Sequence, residues 1–365
     1  MKITQTLKQT LALTFVPGMG PVAFKNGLTA FASLDRILGA SAAQWKNVQG
    51  LSRLSRRSLD GKEAFDLADK EIEKALKHGA DIITFFDERY PAELKEIHDP
   101  PIVLYFQGSW PERALPRIAV VGSRLASLYG IKMAEKISRD LASAGAVIVS
   151  GLAKGIDTAA HRGALSAGGL TLAVQGCGLA TVYPSENRKI AKQIIASGAL
   201  VSEYSMDIRP TPGNFPVRNR IISGLSRAVL VAEAREKSGA LITADTALEQ
   251  GREVYALPGP ADNAKSQGSN SLLKQGARFI TEAADILEDL SIEFRRGKGA
   301  ETRKKIVMTD EERHLLSHLE GMQPLHLDEL IQKSELPASK AMGLLSVLAL
   351  KGAVQELPGK YFMEK

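Results

Sequence analysis

The stretch Gly213-Asn214-Phe215-Pro216-Val217-Arg218-Asn219-Arg220-Ile221-Ile222-Ser223-Gly224-Leu225-Ser226 brings an aromatic ring, two amides and two guanidiniums together beside an apolar run. That set suits a polyanion carrying flat bases. Arg218 and Arg220 can fork onto phosphate oxygens, Asn214 and Asn219 can donate and accept at sugar or base edges, and Phe215 offers a face for an unstacked base. Pro216 stiffens the loop expected to hold the ring. Between Ser205 and Gly239, Arg209, Arg218, Arg220, Arg227, Arg235 and Lys237 outnumber Asp207, Glu233 and Glu236, so the region is locally positive. A basic run alone more often marks a solvated helix start. The interleaved ring and amides move the reading to nucleic acid.

Three further turns have the composition of phosphate-holding loops. Gly122-Ser123-Arg124 follows an apolar run: the glycine allows close backbone approach, Ser123 can donate, and Arg124 can neutralise an anion. Ser150-Gly151-Leu152-Ala153-Lys154-Gly155-Ile156-Asp157 repeats the arrangement with two glycines and a lysine. Arg235 to Thr243 is read as a third polar loop, in which Lys237, Ser238 and Gly239 complete a ligand wall. Gly259, Lys265, Gly268, Asn270 and Lys274 decorate a later connection that reads as surface loop. Asp157 and His161 lie one helical turn apart, and helix capping is the preferred reading over acid–base chemistry.

Several chemistries find no support. Neither a G-x-G-x-x-G fingerprint nor a G-x-x-x-x-G-K-[ST] loop occurs at these turns, so no nucleotide cofactor is expected. A nucleophile elbow is also lacking. His314 and His318 have helical metal-ligand spacing without a third ligand nearby, and are expected on a solvated face. The single cysteine, Cys177, sits in Gly176-Cys177-Gly178 after an apolar run, which predicts a small buried residue at a strand end. It leaves no internal disulfide, as befits a reducing cytoplasm.

The elements that position these turns follow from the apolar pattern. Ile118 to Val121, Val147 to Val149, Leu170 to Val174, Leu200 to Ser202, Ala228 to Ala232, Val254 to Ala256 and Phe279 to Thr281 are short, nearly continuous apolar runs alternating with helical segments. They predict an α/β fold with a mostly parallel, doubly wound sheet that binds ligands beyond its strands' carboxyl ends. Residues 1–79 read as short helices around two glycine turns, Phe15 to Pro21 and Asn47 to Ser52, in the manner of a helix-hairpin-helix pair. Lys25, Arg53, Arg56 and Arg57 are near enough in sequence to assist phosphate binding there. The sheet region spans 80–291, and 292–305 is a basic linker holding Arg295, Arg296, Lys298, Arg303, Lys304 and Lys305. In 306–365, a capping box at Thr309 and Glu312, three helical stretches and a closing hairpin resemble a winged helix. Its candidate recognition helix, Ser339 to Lys351, offers only Lys340 and Lys351, and Thr309 to Lys351 holds seven acidic residues against four basic ones. Base reading there is not expected.

With 365 residues the chain is long enough for two or three domains, and its formal charge of +6 favours an anionic partner. No apolar run approaches the ~20 residues needed to span a bilayer, and Met1 to Gly20 has no cleavage-site pattern. A cytoplasmic protein without membrane contact is expected.

In this order, Gly122-Ser123-Arg124, Ser150 to Asp157, Asn214-Phe215-Pro216 with Arg218 to Ser226, and Ser238-Gly239-Ala240-Leu241-Ile242-Thr243 resemble the DNA-processing protein A family (DprA, also called Smf). The resemblance implies an amino-terminal SAM-like helical domain, an extended Rossmann core and a carboxyl-terminal winged helix. It also implies a protein without turnover that binds and protects single-stranded DNA, loads the RecA recombinase during natural transformation, and forms a homodimer. It puts Arg124 at a DNA-binding arginine and Asn214 to Arg220 at the rim of the DNA pocket. Some relatives have a lysine where Pro212 stands here, and Arg209 is the available substitute. The rival is a nucleotide phosphoribohydrolase. Its P-G-G-x-G-T-x-x-E signature is not matched, because Thr246 stands where the glutamate is expected.

Overall fold

A computed structural model describes residues 2–45, 48, 62–112, 114–292, 308–319 and 324–364. Two compact units, Met1–Ala300 and Glu301–Lys365, make up the chain. The first is organised by a nine-stranded sheet of order β1-β2-β6-β5-β4-β3-β7-β8-β9. The strands are β1 (Ala80–Thr84), β2 (Val103–Gly108), β3 (Arg117–Gly122), β4 (Val147–Ser150), β5 (Thr171–Val174), β6 (Ala199–Ser202), β7 (Ala228–Glu233), β8 (Glu253–Ala256) and β9 (Arg278–Phe279).

From β6 through β9 every neighbouring pair is parallel. The reason lies in the sequence: β4 and β7 are buried along their whole length, so both faces need a cover of helices. Alternate residues serve the two faces. Ala119, Val121, Val147, Val149, Val229 and Val231 join one hydrophobic cluster. Ile118, Val120, Ile148, Ala228 and Leu230 join another. This is the two-residue period of the strand.

Strands β1 and β2, absent from the apolar runs singled out above, form an antiparallel edge: β1 pairs with β2, and β2 with β6. The early helices, among them Gln5–Thr14, Pro21–Phe31 and Lys62–Lys77, bury Leu11, Phe24 and Ile72 in a cluster that also holds Ile82, Val103 and Leu200. The Phe15 to Pro21 turn lies between two helices as expected, but its amides are engaged within the hairpin. Met19 N–H donates to the Val16 carbonyl and Gly20 N–H to that of Gly18. Lys25 is engaged too, its Nζ donating at 2.5 Å to the Ile97 carbonyl. The second glycine turn with Arg53, Arg56 and Arg57, and the basic linker from Arg295 to Lys305, lie outside the described residues.

The second unit contains the helices Asp310–Ser317, Leu327–Ser334 and Ala338–Leu350, with a three-stranded sheet of β10 (Leu325–His326), β11 (Val354–Leu357) and β12 (Tyr361–Glu364) in the order β10-β12-β11. The capping box forms, with Glu312 N–H on Thr309 Oγ1 and Thr309 N–H on the Glu312 carboxylate. His314 and His318 meet edge to face at 5.0 Å, and no metal-binding cluster occurs among the described residues. None of the described helices is long and apolar enough to cross a membrane.

Candidate nucleic-acid interface

The chain runs outward from β3 through β4 and β5 to β6, then returns to lay β7 on the other side of β3. That reversal separates the loops leaving β3 and β7 and opens a crevice at their carboxyl ends. A cleft of about 560 Å³ occupies this place. The loop after β3 contributes Gly122, Ser123 and Arg124, and the loop after β7 contributes Arg235 and Lys237. From the Asn214–Gly224 helix come Phe215, Arg218, Asn219 and Ile222, which at spacings of 3, 4 and 7 lie on one face. The Gly239–Glu249 helix brings its first turn to the opposite wall, with Ser238 as N-cap accepting from Ala240 N–H. The amino-terminal end of a helix dipole is the end that favours negative charge, and here it lies at the cleft wall.

The charge balance of this cleft is one-sided. Arg124, Arg218, Arg235 and Lys237 line it, and Asp157 is the one carboxylate among its described lining residues. Arg124, Arg235 and Lys237 are exposed, and none has a carboxylate partner among the described residues. Glu233, at the end of β7, is not among the residues lining the cleft. Its buried carboxylate accepts from Ser127 N–H at 2.9 Å and from the Ser127 hydroxyl, and is spent on the start of the Leu128–Ser143 helix.

Beneath the cleft the polar groups are internal. Asp157 accepts from Gly151 N–H at 3.1 Å and Ala153 N–H at 3.3 Å, which fixes the loop after β4. Burial raises its carboxyl above the usual range against the pull of Arg218. Arg218 is 4% exposed and donates through Nη1 to the Gly151 and Val174 carbonyls. Burial lowers its guanidinium to about 10, with Asp157 opposing the change. A Cβ on Gly151 would stand 2.7 Å from both Arg218 Nη2 and Asp157 Oδ2, so this glycine makes room for the pair. His161 is fully buried, and burial holds its imidazole down to about 3. Thr171 donates its hydroxyl proton to the Ile148 carbonyl, so it accepts from His161 Nδ1–H and the ring is the neutral Nδ1–H tautomer. Burial likewise pushes the Cys177 thiol up to about 11, and Cys177 is a small core residue in the bend that follows β5, past the strand end where it was expected.

Phe215 is half-buried and surrounded. Its ring stacks on Tyr183 at 5.6 Å, with Arg124 Cζ 5.1 Å and Arg218 Cζ 6.0 Å from its centroid. Gly176 admits it, since a Cβ there would lie 2.8 Å from the ring. A side pocket of about 80 Å³ adjoins this stack and adds Gly151 and Lys154 to Arg124, Tyr183, Phe215 and Arg218.

The profile of the DNA recombination-mediator protein A family matches residues 81–291, more than half of the chain, and that of the DprA winged helix domain matches residues 300–360. The chain belongs to the DNA recombination-mediator protein A family. Protein Smf of Escherichia coli is 40% identical over 280 residues, covering 75% of each chain. The crystal structure of DNA processing protein A (DprA) from Streptococcus pneumoniae superposes with a TM-score of 0.63 at 34% identity, over 79% of this chain and 99% of that one. A structure of the Helicobacter pylori DNA processing protein A, concerned with its single-stranded DNA binding mode, superposes with a TM-score of 0.52 at 31% identity, over 58% and 95%.

Within this DprA fold, the residues singled out in the sequence separate into two sets. Gly122, Ser123, Arg124, Phe215, Arg218, Asn219, Lys237, Ser238 and Gly239 line the main cleft, and Gly151 and Lys154 the side pocket. Arg220 and Asn214 line neither. The segment expected to be a loop is a helix from Asn214 onward, with Pro216 in its first turn where proline is tolerated. Residues two apart on a helix diverge, so Arg218 and Arg220 cannot serve one ligand. Arg220 turns inward to Asp99 at 2.9 Å and Glu203 at 2.5 Å. Gly239 to Thr243 is likewise helix instead of loop. Gly122, besides lining the cleft, turns its missing Cβ toward Ile156 Cγ1 at 2.6 Å and the Glu233 carbonyl at 2.7 Å and so permits helix–strand packing. Asp157 anchors the preceding loop instead of capping its own helix, whose N-cap is Gly155. Arg209 is absent from the cleft lining, whereas Pro212 forms part of the rim. Sequence reasoning missed Tyr183 and left Arg235 out of the site. A tyrosine beside the Gly176-Cys177-Gly178 turn was the available signal for the first.

Proposed function

We propose that the cleft binds single-stranded DNA, with backbone phosphates on Arg124, Arg235, Lys237 and the first turn of the Gly239–Glu249 helix, and with unpaired bases beside the Phe215 stack. The observation that carries this reading is the clustering of exposed, carboxylate-free cations around an aromatic stack at the switch point of the sheet. Buried Arg218 adds positive potential from below and braces the floor. Phosphate contacts give tolerance of sequence and a steep loss of affinity with salt through counterion release. Ring contacts require bases freed from pairing. Membership of a recombination-mediator family supports the further steps: the protein hands its strand to RecA in the cytoplasm, acts as a homodimer that brings two strands together, and performs no turnover.

The test is a salt titration of single-strand and duplex binding with the full chain and with an Arg124→Ala variant. Preference for the single strand, with a shallower salt slope in the variant, is expected. Equal affinity of the two proteins for the single strand would overturn the site. RecA filament assembly on coated strands tests the handover, and light scattering tests the dimer. Release of free base from nucleoside monophosphates would overturn the non-catalytic reading.

A further inference from the structure

We infer that Tyr183 is the platform on which an unpaired base lies, and that Phe215 is the support behind it. The inference rests on the single-strand reading above and assigns the base contact within that site. Phe215 already carries Tyr183, Arg124 and Arg218 against its ring, so a base stacking directly on it would displace one of them. Tyr183, in contrast, is 42% exposed and borders both the main cleft and the side pocket. Its environment is not that of a structural tyrosine. Such a residue ordinarily buries its ring or bonds its hydroxyl. Here the hydroxyl has no hydrogen-bond partner among the described residues, and the ring is held by the stack with Phe215.

The loop that carries the ring is anchored at both ends. Tyr183 N–H donates to Gln175 Oε1 at 3.0 Å. Buried Asn187 donates to the Leu152 carbonyl at 2.8 Å and to Thr158 Oγ1 at 2.9 Å, tying the loop to the turn after β4. A ring fixed before the ligand arrives loses little freedom on binding, which favours stacking. The same loop places Glu186 on Lys154 at 2.5 Å, and Lys154 and Arg124 line the side pocket together with Tyr183. A strand entering there meets cations and an aromatic surface in one pocket, the combination that sequence-tolerant single-strand binding uses.

The experiment compares a thymidine oligomer with an abasic oligomer of equal length, using fluorescence anisotropy and the full chain. Tyr183→Ala is expected to weaken thymidine-oligomer binding about tenfold. It should leave abasic-strand affinity and the salt slope unchanged, while Tyr183→Phe binds both strands as the parent does. Arg124→Ala is the comparator and should weaken both strands. Unchanged thymidine binding by Tyr183→Ala, an equal loss on both strands, or a loss in Tyr183→Phe as large as that in Tyr183→Ala would overturn the assignment while the site stands. Failure of the parent to bind either strand would bring down the single-strand reading itself.

Discussion

The cleft of the sheet and the recognition helix of the winged unit both belong to architectures that bind nucleic acid, yet they treat their cations differently. Around the cleft, Arg124, Arg235 and Lys237 have no carboxylate partner among the described residues. On the Ala338–Leu350 helix and its C-cap, Lys340 meets Glu311 at 2.5 Å and Lys351 meets Glu312 at 2.7 Å. A cation already neutralised within its own fold has little potential left for a phosphate, so the architecture alone does not decide where a strand binds. The cleft helix shows that placement can differ within one element: Arg218, beside Asp157, borders the cleft, and Arg220 is shut into a cluster of carboxylates.

The largest expected effect comes from that internal cation. Arg220→Ala leaves Glu203 and Asp99 without their counter-charge, and breaking a buried pair of this kind costs on the order of 3 kcal/mol. Urea unfolding should show the loss. Burial already raises the Glu203 carboxyl above its ordinary value in spite of Arg220. Without the arginine its pKa should rise further. A carboxyl raised in the fold stabilises below its unfolded pKa and loses that contribution as pH increases, so the deficit of the variant should be greatest at neutral pH and shrink on acidification. A variant as stable as the parent at pH 7 would place Arg220 with the solvent-facing cations after all.

Next in size is the joint loss of two rim cations. Arg124→Ala with Lys237→Ala should weaken single-strand binding about a hundredfold near physiological salt and reduce the salt slope by about two, while stability changes little. An unchanged slope would mean that neither side chain meets a phosphate.

How much of this contrast was legible in the chain depends on the range of the interactions. The parallel strands were, because β3, β4, β5 and β7 are continuous apolar runs whose burial on both faces follows from composition. The antiparallel edge was not, since β1 and β2 lie in a stretch broken by prolines and short turns. Within the site, the spacing of Phe215, Arg218, Asn219 and Ile222 contained the helix face, but Pro216 drew the segment toward a loop. The partners of Arg220 were beyond local reading: Asp99 and Glu203 come to it from other elements, and only the folded sheet brings them together. Tyr183 sits in an aperiodic connection, where neither helix nor strand spacing tells which way a ring points.

A smaller effect concerns a cation of intermediate kind. Lys154 borders the side pocket but is held by Glu186, both side chains being more than half exposed. Glu186 competes there with a phosphate, so Glu186→Gln should tighten single-strand binding by about threefold, the scale of an exposed ion pair. The gain should fade at high salt. Weaker binding in the variant would show that Glu186 orders the loop more than it opposes the ligand.

The smallest expected effect on binding is the sharpest test of the winged unit. Lys340→Met with Lys351→Met keeps the aliphatic stems and removes both charges from the recognition helix. If those charges serve only Glu311 and Glu312, single-strand and duplex affinities should stay at parental values across a salt series. What changes instead is local. Glu312 accepts from Lys351 and from Thr309 N–H, and these contacts, the lysine first, hold its carboxyl below the ordinary value of 4.5. A depressed carboxyl stabilises above its unfolded pKa and loses that contribution as pH falls through the folded one. Hydrogen exchange at the start of the Asp310–Ser317 helix should therefore be faster in the double variant at pH 7, and the two proteins should converge at pH values low enough to protonate Glu312. A several-fold loss of duplex affinity would instead show that DNA competes successfully for these lysines, and the contrast between the cleft and the winged unit would fail.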